Sequence, residues 1–133
     1  MHRRDLIKTS VVAGMAFSAA PLLGADSGRK YRAALIGCGW WGRNILRYAM
    51  ASGECRIVGL CDVDQNQLAG AAAEVERLSG DQPKGYPDYR ELLAKEKPDI
   101  AIIATPDHWH ALAAIAAMKA GAHVYVEKPV SHT

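Results

Sequence analysis

The chain lacks the patterns that most directly announce a metal site, a nucleic-acid binder or a membrane span. Its three cysteines, Cys38, Cys55 and Cys61, are an odd number without zinc-ligand spacing. Each falls in or beside an expected strand, where cysteine serves as a small buried hydrophobe. His108 and His110 form H-x-H without a third ligand, so no metal is expected. Charge of one sign is also missing from the body of the chain. The formal net charge is +2, and the excess sits at the front, where Arg3, Arg4 and Lys8 face a single acid, Asp5. Beyond residue 25, basic and acidic residues balance at 13 each. Charge therefore gives no support to nucleic-acid binding. Internal repeats and low-complexity tracts are absent.

The front segment reads as an address rather than as part of a fold. Arg3-Arg4-Asp5-Leu6-Ile7-Lys8 is followed by a mildly apolar stretch from Val11 to Ala25, broken by Gly14, Ser18 and Pro21. That stretch is too short and too rich in small residues for a good membrane span. The paired arginines resemble the twin-arginine export motif, with Leu6 where that motif usually has Phe. Residues 1–25 are therefore expected to be a signal peptide, handled by the twin-arginine machinery, and the mature protein to be periplasmic or otherwise exported.

From Lys30 onward, short β-rich runs alternate with 3.6-period runs, the signature of an α/β protein with a parallel sheet. Strands are predicted at Arg32–Ile36, Arg56–Cys61, around Tyr86, Ile100–Ala104 and His123–Val126. A helix from about Trp41 to Ala51 stops near Gly53. A second begins at Asp64, with Gln67 as a capping-box partner, buries Leu68, Ala72, Val75 and Leu78, and ends at Gly80. Asp81–Gly85 reads as a loop. Asp88 and Glu91 repeat the capping-box spacing before a short helix presenting Leu92 and Leu93, closed by Pro98. The last helix starts near Pro106 and ends before Gly121. Right-handed crossovers then give a Rossmann-like, doubly wound sheet of strand order 3-2-1-4-5.

The first strand runs into Gly37-Cys38-Gly39-Trp40-Trp41-Gly42, which fits G-x-G-x-x-G and leads into a helix. Gly37 permits the tight turn, Gly39 lets backbone approach a pyrophosphate, and Gly42 lets the helix pack close to the strand. Alone the pattern is weak. Here a strand precedes it, a helix follows, and Asp62 ends the next strand 20 residues beyond Gly42, placed to accept hydrogen bonds from the adenosine ribose hydroxyls. A 2′-phosphate against Asp62 would be repelled, and Val63–Gln67 holds no Lys or Arg to offset it, which favours NAD over NADP. Trp40 and Trp41 either wall the cofactor or pack in the core.

A second cluster ends the fourth and fifth strands: Ala104-Thr105-Pro106-Asp107-His108-Trp109-His110 and Glu127-Lys128-Pro129. With the glycine loop, the Ala-Thr-Pro stretch with a His five residues after the Thr, and the Glu-Lys-Pro triplet, residues 31–133 resemble the Gfo/Idh/MocA oxidoreductases, the family of glucose–fructose oxidoreductase and inositol dehydrogenase. The resemblance implies that Thr105, Pro106 and His110 line the nicotinamide side, and that Glu127 contacts the nicotinamide ribose. It implies that Lys128 reaches the substrate hydroxyl as the catalytic residue, where a cation favours the developing alkoxide. Where the family has an Asn-like residue after Thr-Pro, this chain has Asp107.

Residues 26–133 are thus expected to be an NAD(P)-binding Rossmann domain, with the family's C-terminal α+β substrate domain missing from the sequence and a homo-oligomer when full length. The expected substrate is a small, carbohydrate-like hydroxyl compound. Three functional classes follow: a hydride-transferring oxidoreductase, an NAD-dependent glycosidase using transient oxidation, and a non-catalytic nucleotide-binding fragment.

Overall fold

A computed structural model describes residues 30–128. The twin-arginine segment at 1–25 and Pro129 of the Glu-Lys-Pro triplet lie outside those residues. Five strands, β1 (Tyr31–Ile36), β2 (Cys55–Cys61), β3 (Lys84–Tyr86), β4 (Ile100–Ile103) and β5 (His123–Val126), form one sheet in the order β3-β2-β1-β4-β5. Every pairing is parallel. Helices α1 (Trp40–Ala51), α2 (Gln65–Ser79), α3 (Tyr89–Glu96) and α4 (His110–Lys119) connect them, the last preceded by a 3-10 turn at Asp107–Trp109.

The alternation of side chains along β1 builds two cores. Ala33 and Leu35 join Ile57, Leu60 and Ile102 under Leu46 of α1 and Leu68, Ala71 and Val75 of α2. Ala34 and Ile36 join Ala101 and Ile103 under Leu92 and Leu93 of α3 and Ala113, Ala114 and Ala117 of α4. Helices therefore cover both faces of the sheet, which is why β1 and β4 are nearly continuous apolar runs. The doubly wound architecture and strand order match those expected from the sequence. A register shift between Ala33 and Ala34 leaves Val58 unpaired against β1, a bulge that sequence patterning did not reveal.

Several local expectations are corrected. Lys84 and Gly85, read as loop, pair with Gly59 and Leu60 as part of β3. Leu78 does not join the buried stripe of α2 and is 47% exposed. That stripe instead carries Glu74, 9% exposed, because Arg43 and Arg47 of α1 stand across from it. Ion pairs from Arg43 and Arg47 to Glu74 thus tie α1 to α2. The two capping boxes are also not closed. Asp64 accepts from Asn66 N at 2.8 Å and Asp88 from Arg90 N at 2.9 Å, while Glu91 turns outward to Lys95 at 2.8 Å. A short Asp side chain reaches the second helical N–H without help, so the reciprocal partner is dispensable.

Helix α3 ends on Lys97 in the left-handed region, at φ 46° and ψ 59°. It is the one non-glycine residue with positive φ among the described residues. A side chain there costs about 1 kcal/mol that glycine avoids. Lys97→Gly is expected to stabilise the fold by about 0.5–1 kcal/mol, read as a rise in thermal midpoint. An unchanged or lowered midpoint would contradict the strain assigned to this cap.

Candidate functional site

The carboxyl ends of β1, β2 and β4 open into a cleft of about 620 Å³. Gly37, Asp62, Val63, Pro87, Asp88, Arg90, Thr105, Pro106 and Trp109 are among its lining residues. Each glycine of the first turn meets a different physical demand there. Gly37 has φ +99°, and a Cβ on it would sit 2.6 Å from the Ala104 carbonyl carbon and oxygen. A Cβ on Gly42 would stand 2.1 Å from the Gly37 carbonyl oxygen. Gly39 has an ordinary φ of −69°, and a Cβ there would meet nothing within 4 Å. Gly37 and Gly42 are therefore glycines for packing, whereas Gly39 faces open space that a side chain would fill.

That space lies at the start of α1. Gly39 is the N-cap, no side chain caps the helix, and no acid occupies its first turn. The first helical N–H groups and the positive end of the helix dipole are thus left for an anion. The open cradle and uncapped helix fit the diphosphate of a dinucleotide.

Asp62 stands at the end of β2 on the cleft's rim. Its Oδ2 accepts from Cys38 N at 2.8 Å and its Oδ1 from Asp64 N at 2.8 Å. One carboxylate thereby fixes the glycine turn to the start of the next crossover. Two oxygens offer about four acceptor sites, so lone pairs remain for ribose hydroxyls.

Thr105 and Pro106 line the same cleft, and the Thr105 hydroxyl oxygen is buried without a hydrogen-bond partner. A buried unsatisfied hydroxyl costs about 1–3 kcal/mol, so this atom is suited to a polar ligand group. His110, expected on the nicotinamide side, is 2% exposed, and its Nε2 lies 2.6 Å from the Thr105 carbonyl oxygen. With Nε2 protonated it donates to that carbonyl and staples the Thr105–Trp109 turn from behind.

Trp40 and Trp41 are 70% and 49% exposed, so neither is a core residue. Their ring centroids are 5.6 Å apart. Trp41 lies in a separate apolar groove with Ile45, Tyr48, Ile102, Tyr125 and Glu127. Glu127 accepts from the Tyr125 hydroxyl at 3.0 Å, and Lys128 is exposed beside it. Gly37, Asp62, Thr105 and Pro106 are thus brought together, with Gly39 and Gly42 on the turn beside them, while Trp41, Glu127 and Lys128 lie towards β5. The sequence marks Asp88 only as a helix cap and Arg90 by no motif, yet both line the cleft. What brings them there is the position of α3 after β3, at the same sheet edge.

Burial and the nearby Asp62 carboxylate push the thiols of Cys38 and Cys61 up from the ordinary 9.0 to about 12. Cys55 is half-buried, and burial raises it too. Cys38 and Cys61 are buried as expected, whereas Cys55 is only partly so.

The family model described as "Oxidoreductase family, NAD-binding Rossmann fold" matches residues 31–133. The chain is 38% identical over 106 residues to a glycosyl hydrolase family 109 protein of Shewanella sp. strain ANA-3, covering 77% of this chain and 23% of that protein. Among solved structures, it is similar to the WlbA dehydrogenase of Chromobacterium violaceum, determined in complex with NADH and UDP-GlcNAcA. That match has 33% identity and a TM-score of 0.65, over 77% of this chain and 28% of the other. It is also similar to myo-inositol 2-dehydrogenase of Lactobacillus plantarum, with 31% identity and a TM-score of 0.69, over 79% of this chain and 30% of that one. The chain thus spans roughly a quarter of the length of the relatives it matches.

Two outcomes test this geometry. Gly42→Ala is expected to destabilise the fold by at least about 2 kcal/mol, through the clash with the Gly37 carbonyl. Gly39→Ala should leave the thermal midpoint nearly unchanged and weaken dinucleotide binding about tenfold or more; equal effects on stability from the two substitutions would refute the division of roles. For the thiols, the raised folded values mean that their stabilising contribution is complete below about pH 9 and is lost as pH rises towards about 12. An alkylating reagent at about pH 8 should label Cys55 first, with Cys38 and Cys61 reacting only as the fold opens.

Proposed function

Because the chain belongs to the Gfo/Idh/MocA oxidoreductase family, we propose that it is the nucleotide-binding part of an exported, NAD-dependent enzyme acting by hydride transfer on a sugar, polyol or related hydroxyl compound. The observation that carries this reading is the open cradle at Gly39 against an uncapped helix N-terminus, with Asp62 on the rim of the adjoining cleft. When bound, NAD supplies a hydride acceptor. The chain's own residues bind and orient it: backbone N–H groups of the first turn hold the diphosphate, and Asp62 accepts from the adenosine ribose. The Thr105 hydroxyl and Pro106 line the way towards the nicotinamide, where Glu127 contacts the second ribose. Lys128 stands by the substrate hydroxyl, and its positive charge would favour loss of that hydroxyl's proton to solvent as the neighbouring carbon gives up hydride to the nicotinamide and the C–O bond becomes a carbonyl.

NAD is favoured over NADP because a 2′-phosphate at the end of β2 would face the Asp62 carboxylate. Carbohydrate-like substrates fit the company the chain keeps, since its structural relatives include proteins named for inositol and determined with a UDP-sugar. The Arg3-Arg4 segment supports export by the twin-arginine route. That route carries folded proteins, so a cofactor is loaded inside the cell and retained through turnover.

The names of the curated relatives favour a second reading, an NAD-dependent glycosidase in which oxidation is transient. Both readings use the same cradle, and the fate of the hydride separates them. With the intact protein, free NAD and a panel of sugars and polyols, the first reading predicts net NADH formation. Glycoside cleavage without net NADH would instead establish the second. Under the first reading, Lys128→Met is expected to lower kcat about a hundredfold or more while NADH affinity stays within about twofold. NADH binding with neither reaction would identify a non-catalytic module.

A further inference from the structure

The cleft holds a charge arrangement that Asp62 alone does not explain. Asp88 caps α3 through Oδ1, and the same carboxylate holds Arg90 fork to fork. Arg90 Nε donates to Oδ1 at 3.1 Å and Nη2 to Oδ2 at 2.9 Å. Asp62, Asp88 and Arg90 line one cleft, with the Tyr89 ring centroid 5.9 Å from the guanidinium carbon. Both carboxylates act on a common neighbour, since Asp62 and Asp88 each raise the Cys61 thiol at the end of β2. Arg90 is the one lysine or arginine among the described residues lining this cleft.

We propose that Asp88 is a second determinant of cofactor choice, because by occupying Arg90 it withholds from a 2′-phosphate the cation that would receive it. The proposal rests on the reading that this cleft takes the adenosine end of a nicotinamide dinucleotide. A guanidinium fork matches carboxylate and phosphate alike, and here the carboxylate already holds it. A 2′-phosphate brings nearly two negative charges to the end of β2 and meets two carboxylates against one paired cation. A 2′-hydroxyl brings no charge and donates to a carboxylate. The two side chains are 75% and 42% exposed, so the pair adds little to the stability of the fold. Asparagine at position 88 keeps the helix cap while removing the charge.

The test is Asp88→Asn in the intact protein, titrated with NADH and NADPH and with the adenosine-end probes 5′-AMP and 2′,5′-ADP. The ratio of NADPH to NADH affinity is expected to rise about tenfold or more, with 2′,5′-ADP gaining in parallel and 5′-AMP unchanged. Adding Arg90→Ala to Asp88→Asn should return the ratio to near that of the parent protein. A ratio unmoved by Asp88→Asn, or raised equally with and without Arg90, overturns the proposal, as does a parent protein that already prefers NADPH. A parent protein that binds none of the four probes sinks the cleft reading itself, which keeps the two failures apart.

Discussion

At the end of β1 three stretches of backbone meet with no room for a side chain between them. A Cβ on Gly42 would lie 2.1 Å from the Gly37 carbonyl oxygen, and one on Gly37 would lie 2.6 Å from the Ala104 carbonyl. This close approach draws the start of α1 onto the sheet and sets it beside the end of β4. The uncapped N-terminus of α1 consequently starts beside the crevice that Gly37, Thr105 and Pro106 line. Site and core are therefore not separable here, since the contact that packs α1 also aims its free N–H groups.

Asp62 extends the same economy to the neighbouring crossover. Its two oxygens are bonded to Cys38 N and Asp64 N, so the acid expected to bind ribose also holds the phosphate turn in place. His110 works similarly on the other side, tied to the Thr105 carbonyl while it begins α4. Polar groups of the cleft thus organise loops whose positions the apolar cores leave unspecified. Replacing either group changes shape as well as chemistry, and a loss of binding alone does not distinguish the two. For Gly39 the two separate cleanly, because its φ is ordinary and its surroundings are open.

Strand order and the boundaries of most elements were legible in the sequence because periodicity and punctuation agreed. Gly80 does end its helix in the left-handed region, Asp64 and Asp88 do cap theirs, and the continuous apolar run at Ile100–Ile103 is buried on both faces of the sheet. What escaped were features decided by distant partners. Glu74 sits in an apolar stripe because two arginines of another helix reach it, and no local pattern encodes that pairing. Lys84 and Gly85 form a strand because β2 offers an edge, not because of β propensity. Motif reading found the glycine loop and its acid, since those positions answer to backbone sterics at fixed spacing. Asp88 was legible as a cap, but its place in the cleft, like that of Arg90, answers to topology, which brings the start of α3 to the edge where β2 ends.

The placing of these groups along the sheet edge bears on the proposed function. The groups proposed for recognition lie at the ends of β1 and β2 and the start of α3: the open turn at Gly39, Asp62, and the Asp88–Arg90 pair. Glu127 and Lys128, the residues proposed for the chemistry, follow β5, where Lys128 is exposed and the Tyr125 hydroxyl bonds to Glu127. A lysine in water is a weak instrument for stabilising an alkoxide, because solvent screens it. Its effect grows when a substrate-bearing surface closes over the β5 edge and removes that water. Both proposed reactions, net hydride transfer and transient oxidation, would gain from that exclusion of water. On the proposed reading the cleft would take the dinucleotide, and whatever covers Lys128 would decide which of the two reactions follows.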